Sequence, residues 1–361
     1  MVNTDVLVVG GGVAGSAAAR ELGRRGLRVV LLEKARHPRP KACGEGLLPQ
    51  GVAALRAMAL DFPGVAVRGL RYVSPGGRVA ETDFPSGKGM VVRRERFDAY
   101  LFDQAANTPN VEAIQGRSYD PGHWKARWIV GADGLHSQFH ADPAFGAMRP
   151  SLRRVGLSTH VQGLSIDRER VEVLFHAGGE VYLAPSEGSD ALVACLYRQD
   201  ALPEGPSNQE RVLRTLRSLP ALRHRCGTIV FTTPVLGAGP LGLCVKNPVS
   251  DEVLLVGDAS GAPDPVTGEG MSLALLSAVP LAEALTLGNP ETYLAERSRL
   301  GENAGWLSGW ILRASPHQSV VERVIGSLAE HPDLFSKLLE IGTGTRRPRD
   351  LGLADVIRLV I

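Results

Sequence analysis

The sequence predicts an α/β fold, α+β over its whole length, in which a Rossmann-type domain carries an inserted antiparallel β-sheet domain and a set of C-terminal helices. Three observations predict it. A strand, a glycine-rich turn, a helix and a second strand follow one another between residues 5 and 33. A second apolar strand runs into a long glycine-rich turn at 253–271, and strand-like runs crowd the segment 151–245.

The first unit opens with Asp5-Val6-Leu7-Val8-Val9, a short β-branched apolar run of the kind buried in parallel sheets. It ends in Gly10-Gly11-Gly12-Val13-Ala14-Gly15, a G-x-G-x-x-G turn. Ser16 to Leu22 is helix-forming, Gly23 and Gly26 punctuate its end, and Leu27 to Glu33 reads as the second strand. In such a βαβ unit Gly10 permits the tight turn, Gly12 lets the backbone approach a pyrophosphate, and Gly15 lets helix and strand pack closely. The phosphates lie at the helix N-terminus, and Glu33, about twenty residues on, takes a ribose hydroxyl. Ala14 and Lys34 stand beside these positions and join the candidate set. Dinucleotide binding follows. NAD and FAD place the same ADP half here, so this unit leaves the choice open.

The second landmark is Val253-Leu254-Leu255-Val256, followed by Gly257-Asp258-Ala259-Ser260-Gly261 and then by Pro265-Val266-Thr267-Gly268-Glu269-Gly270-Met271. A third is Ile129-Val130-Gly131-Ala132-Asp133-Gly134. Together and in this order they resemble the para-hydroxybenzoate-hydroxylase-fold flavoproteins, which include single-component aromatic monooxygenases and geranylgeranyl reductases. The resemblance covers most of residues 1 to 290 and implies FAD as cofactor. It implies that Asp258, after Gly257, binds the ribityl chain, that Gly268, Gly270 and Met271 line the flavin ring, and that Pro265 and Asp133 belong to the cofactor site. Ser272 to Leu276 reads as a helix whose N-terminal dipole favours negative charge on a reduced ring.

Lys41-Ala42-Cys43-Gly44-Glu45-Gly46 extends the match to the C-G-E-G segment of geranylgeranyl-reductase-like proteins, where the cysteine lies beside the flavin. Lys41, Cys43 and Gly44 therefore join the cofactor set, and Cys43 is the candidate catalytic residue. Its other reading is a small buried hydrophobe beside a turn. Arg93-Arg94-Glu95-Arg96-Phe97-Asp98 resembles the family's R-x-x-F-D segment, with Arg94 as the flavin-contacting arginine. The same three arginines also suit a solvated basic face.

The resemblance implies an FAD-binding domain assembled from residues 1–70, 91–141 and 250–290. A substrate domain of 71–90 and 142–249 and a helical region of 291–361 complete the chain. Residues 155–161, 171–175, 180–185 and 191–197 are strand-like runs between Gly, Ser and Asp turns. Tyr182 and Pro185 occupy a strand expected to face the ring and are candidate pocket residues, with ordinary sheet packing as the alternative for Tyr182. Three departures from the family pattern stand out: Tyr182 lacks the Trp and Phe of Y-x-W-x-F-P, Ser137-Gln138-Phe139-His140 replaces S-x-x-R, and a short 115–127 stretch replaces a longer hairpin. Beyond Gly288, Trp306, Trp310, Val320, Val321, Val324 and Ile325 fall near helical spacing. Core packing explains that stripe best, with a lipophilic tunnel or a peripheral membrane contact as alternatives.

With 361 residues, 44% of them hydrophobic and 22% charged, the chain suits one large domain or two interleaved ones. No apolar run approaching the ~18 residues of a spanning helix is evident, so no membrane span is expected. Forty basic residues against 38 acidic ones give a net charge of +2 without a basic cluster, which argues against nucleic acid as a partner. The N-terminus runs directly into a strand, so a cytoplasmic enzyme is expected. Cys43, Cys195, Cys226 and Cys244 form no C-x-x-C pair and are expected as free thiols; His136 and His140 have no third ligand nearby, and no metal site is expected.

The leading functional expectation is a monooxygenase in which NADPH or NADH reduces FAD and O₂ then serves to hydroxylate a small lipophilic or aromatic substrate. The rival is a geranylgeranyl-reductase-like saturase of isoprenoid double bonds, in which Cys43 helps deliver the proton. A non-catalytic flavin-binding redox sensor is the reading from a different class. The halogenase motif W-x-W-x-I-P is absent, and Gly257 to Gly261 does not centre a serine as a hydrolase elbow does.

Overall fold

A computed structural model describes residues 2–149 and 153–360. Val2–Val9 sits at the centre of a six-stranded sheet. Val29–Glu33 and Val111–Gln115 lie to one side, and Trp124–Gly131, Val253–Leu255 and Val249–Ser250 to the other. Neighbours are parallel except in the hairpin of Val249–Ser250 with Val253–Leu255. Because side chains alternate along a strand, Val6, Val8 and Leu31 face one layer while Leu7, Val9 and Leu32 face the other. Both faces are buried, which is why these strands read as unbroken apolar runs. Helices Val13–Arg24 and Arg94–Ala106 cover the first face, where Ala17, Ala18 and Ala19 present little bulk. Trp124, with the half-buried Ile114, Tyr119 and Phe139, closes the second, so the short 115–127 stretch still supplies a cover.

One sequence expectation is corrected in this domain. Gly270–Leu276 and Ala278–Leu287 run on from one another to form an apolar stretch of 18 residues with mean hydropathy 1.6, long enough by composition to cross a membrane. Leu281, Ala282 and Ala284 have no exposed surface, and the stretch packs on Val13–Arg24. Half of the stretch is buried, and its apolarity on that side is that of a helix packed on the core.

The inserted sheet has eight strands. Cys226–Phe231, Arg154–Leu164, Ala191–Arg198, Gly179–Pro185, Arg170–His176, Gly69–Val73 and Val79–Asp83 lie in that order, and Leu236–Ala238 pairs with Arg154–Leu164. It is antiparallel at every pairing but one, since Gly69–Val73 runs parallel to Arg170–His176. Those two strands belong to separate excursions of the chain, so no hairpin sets their relative direction. Val181, Leu183, Val193 and Cys195 face the helix Asn208–Ser218, which contributes Val212 and Leu216. The opposite face, with Val173, Phe175 and Ala184, packs in part against Gln318–Glu330 and Pro332–Gly342 through Val321, Ile325, Leu334 and Phe335. Its remainder looks across a cleft at the parallel-sheet domain.

The C-terminal stripe divides. Val321 and Ile325 are buried and Val324 packs beside them, as core packing requires. Trp310 is 53% exposed and Val320 is 41% exposed, because they lie on the outer sides of Pro290–Ala314 and Gln318–Glu330. All four cysteines are free thiols.

Candidate active site

The glycine-rich turns meet at the C-terminal ends of the parallel strands, where an open α/β sheet places its ligands. They border a cleft of about 1080 Å³, large even among small-molecule sites. Gly10 adopts φ +111°, and a Cβ on it would stand 2.4 Å from the Ala132 carbonyl oxygen. A Cβ on Gly15 would stand 1.8 Å from the Gly10 oxygen. Gly12 differs, since a Cβ there meets nothing within 4 Å and points into open cleft. Among the described residues no side chain caps Val13–Arg24, and Gly12, Val13 and Ala14 line the cleft, so the first-turn amides are available to an anion. This cradle fits the pyrophosphate of a dinucleotide.

Glu33 ends the second strand but does not border the cleft. Its carboxylate accepts hydrogen bonds from the Gly11 and Ala35 amides, both at 2.9 Å, and pairs with Arg39 at 3.1 Å. Burial opposes its ionisation, yet the Ala35 amide and Arg39 hold its carboxyl below the usual range. Lys34 and Asp133 also lie outside the cleft. Asp133 accepts from the Gln138 amide at 3.0 Å, and its Oδ1 is buried without a partner among the described residues.

Around the middle of the cleft, Lys41 Nζ lies 4.0 Å from Asp258 Oδ2, with both side chains partly exposed. Gly44, Gly257, Pro265, Gly268, Gly270 and Met271 also border it. Asp258→Ala is expected to lower flavin occupancy of the purified protein at least tenfold, read from the ratio of flavin to protein absorbance; full occupancy would remove Asp258 from the cofactor site. The turn is tied to the inserted sheet. Asp264 accepts from Arg154 at 2.8 Å, and Arg154 also pairs with Glu180. Tyr182 donates from its hydroxyl to the Val266 carbonyl at 2.7 Å and borders the cleft, so sheet packing and pocket lining are both true of it. Pro185 does not share that position. Strand alternation puts it on the side of Val181 and Leu183, away from the cleft.

Cys43 is half-buried at the cleft wall, its amide donating to Ser158 Oγ at 3.1 Å and its sulfur accepting from the Glu45 amide at 3.3 Å. Arg94 is buried, which settles it against a solvated basic face. It makes two bonds to Asp98, at 2.7 and 2.8 Å, and its amide donates to Glu45 Oε1 at 3.0 Å. Burial works against its charge, but Asp98 and the neighbouring Cys43 side chain hold its pKa well above the usual value. Arg94→Ala leaves Asp98 as an unpaired buried carboxylate, and a loss of about 3 kcal/mol in urea unfolding is expected. An unchanged midpoint would overturn that role.

Three polar side chains here escaped sequence reasoning: Glu45, His160 and Glu269. Glu45, at φ +56°, is buried with its Oε2 2.9 Å from His160 Nε2, and Glu269 borders the cleft inside the last glycine turn. Among the described residues no group of three or more His, Cys, Asp or Glu suits a metal ion; His140 instead lies 2.8 Å from the Ala259 carbonyl.

This combination of a parallel sheet, a glycine cradle and a covering sheet is that of a dinucleotide-binding protein with a separate substrate domain. A family model for FAD dependent oxidoreductases matches residues 5–46. The chain is 26% identical to digeranylgeranylglycerophospholipid reductase 2 of Methanosphaera stadtmanae over 77% of each protein. It is 29% identical to the "Putative 2-heptyl-3-hydroxy-4(1H)-quinolone synthase AqdB1" of Rhodococcus erythropolis, covering 91% of this chain and 93% of that protein. In three dimensions it matches the flavin-dependent brominase Bmp2 with a TM-score of 0.80 and 18% identity, over 99% of this chain and 97% of that one. The chain is thus related to the FAD-dependent oxidoreductases, with the fold shared by flavin monooxygenases and halogenases, and distantly to the geranylgeranylglycerophospholipid reductases. FAD is the cofactor that these relationships support.

Proposed function

We propose that the protein is a monooxygenase that uses FAD, NADPH or NADH and O₂ to hydroxylate a small lipophilic aromatic molecule. One observation carries this reading. The part of the cleft facing the Pro265–Met271 turn is an apolar lobe built by Val67, Leu70, Tyr72, Phe84, Val173 and Tyr182. A lobe of this kind takes a hydrocarbon or aromatic body and keeps water from the reacting centre. The relative named as a quinolone synthase, whose product carries a hydroxyl on an alkylated heteroaromatic ring, supports the same substrate class.

Bound FAD supplies the relay that takes a hydride from the nicotinamide and hands its electrons to O₂. One oxygen atom enters a substrate C–H bond and the other leaves as water, with two electrons from the nicotinamide and one proton from solvent. The protein's own contribution is positional. Gly12, Val13 and Ala14 would hold the phosphates, Asp258 and Lys41 would bound the middle of the cofactor, and Gly270 and Met271 at the start of Gly270–Leu276 would border the ring. The Arg154 pairs with Asp264 and Glu180 fix the distance between that turn and the lobe.

The test is turnover of 2-heptyl-4(1H)-quinolone and simple phenols with NADPH under isotopically labelled O₂. One labelled oxygen atom in the product is expected. A second reading, reduction of a polyprenyl double bond, is favoured by Cys43 at the cleft wall and by the named reductase relatives. Geranylgeraniol offered in the same assay that gains hydrogen and no label establishes that reading instead. Cys43→Ser is expected to leave hydroxylation unchanged, and its loss would show the thiol to be needed for this reaction.

A further inference from the structure

The last glycine turn carries a carboxyl that the cofactor chemistry does not require. Glu269 is only 4% exposed, borders the cleft, and its Oε1 is fully buried without a hydrogen-bond partner among the described residues. Gly342, at the end of Pro332–Gly342, closes over it: a Cβ there would stand 3.3 Å from Oε1. The flanking Gly268 and Gly270 carry no side chain, so Glu269 is the one acidic side chain of the stretch 265–271, bordering the cleft beside Thr267.

The surrounding charges are engaged with one another. Asp264 and Glu180 pair with Arg154, Glu340 pairs with Arg346, and Arg297 holds Ser260. From Gly69–Val73, Tyr72 shares the field of Glu269, and its own pKa is raised well above the usual value, by burial first and by that carboxylate second. Glu302 and Arg299, on Pro290–Ala314, border the same cleft, and Arg299 is paired with Glu296. No cation neutralises Glu269 among these partners. A carboxyl placed so is a donor rather than an anion: burial raises its pKa to about 8.

Resting on the aromatic-substrate reading, we propose that Glu269 selects the substrate, donating a hydrogen bond from a neutral carboxyl to an acceptor on the polar head of an aromatic amphiphile whose apolar body fills the lobe. A carbonyl conjugated to the ring suits this donor, whereas a pure hydrocarbon chain leaves it unpaired at a cost.

The experiment is a fluorescence titration of FAD-loaded protein with 2-heptyl-4(1H)-quinolone, whose ring carbonyl is the acceptor, from about pH 6 to pH 9. Wild type, Glu269→Gln and Glu269→Leu are compared, and geranylgeraniol serves as the contrasting hydrocarbon ligand. Wild-type affinity is expected to hold below pH 8 and to fall above it. Glu269→Gln, which keeps a donor but does not titrate, should bind with no such fall, and Glu269→Leu should bind about tenfold or more weakly at every pH. A protonated-carboxyl infrared band at neutral pH, absent from Glu269→Gln, is the accompanying readout. Equal quinolone affinity in all three proteins, or a pH dependence that persists in Glu269→Gln, overturns the assignment while the aromatic reading stands. Binding of geranylgeraniol but not quinolone, tightened by Glu269→Leu, overturns both, as does binding of neither ligand.

Discussion

Gly15→Ala is expected to yield a protein that retains no flavin and unfolds well below the wild type. The new methyl group would stand 1.8 Å from the Gly10 carbonyl oxygen and 3.0 Å from Ala132 Cβ. Neither neighbour has room to move. Gly10 is itself held at φ +111° beside the Ala132 carbonyl, and Ala132 follows the parallel strand Trp124–Gly131, hydrogen-bonded to Val9. Relief requires the helix Val13–Arg24 to lift from the sheet, which exposes the close contacts of Ala17, Ala18 and Ala19. Overpacking of this kind costs about 1–3 kcal/mol, and a contact this close with rigid backbone belongs at the upper end. Gly12→Ala is the instructive contrast, because its methyl group meets nothing within 4 Å and fills only the space left for the phosphates. That variant should keep the thermal midpoint of the apoprotein and lose flavin affinity. Thermal unfolding of the apoproteins, paired with flavin titration, separates the two, and a Gly15→Ala protein with a wild-type midpoint would show that the turn can relax.

The second large effect is a stability difference that opens with pH. In the unfolded chain the Glu269 carboxyl titrates at its ordinary value of 4.5, whereas in the fold burial holds it at about 8. Between those values the folded protein binds the extra proton, so stability is lost as pH rises through the interval. Above the folded pKa the full burden is present, on the order of 4 kcal/mol at about pH 8. Glu269→Gln carries no titrating group at this position. Urea unfolding of the apoproteins should find the two proteins close at about pH 5 and the variant more stable by several kcal/mol near pH 8. A difference that does not change with pH would mean that water or a neighbouring group already solvates the carboxylate.

The two glycine residues and the glutamate illustrate what the sequence discloses and what it conceals. The βαβ unit was legible because every element that defines it, from Val6 to Glu33, is local and repeats a physical requirement of a tight strand-to-helix turn. The strands at 155–161, 171–175, 180–185 and 191–197 were legible as short strand-like runs bounded by Gly, Ser and Asp turns. Glu269 was not. A glutamate between two glycines reads as a solvated turn, and its burial is imposed by Gly342, more than seventy residues away along the chain. Glu45 was concealed similarly, since its partner His160 belongs to the inserted sheet. The parallel pairing of Gly69–Val73 with Arg170–His176 has no local signal at all, and Gly270–Leu287 needed its packing partners to reveal why so apolar a stretch exists. Pro185 shows a subtler limit: locating a strand is not enough, because a shift of one residue reverses the face presented.

That one parallel pairing also determines how the protein can be rearranged by recombination. The sheet that roofs the cleft is woven from two non-adjacent genetic segments, one supplying Gly69–Val73 and Val79–Asp83 and the other everything from Arg154–Leu164 to Leu236–Ala238. A chimera that exchanges only the longer segment with a relative inherits a foreign edge along Arg170–His176, and with it mismatched side chains at Leu70 and Tyr72 in the lobe. Exchange of substrate range by gene shuffling therefore calls for two coordinated segment swaps, one around 69–83 and one around 154–238, whereas drift within the lobe can proceed one residue at a time.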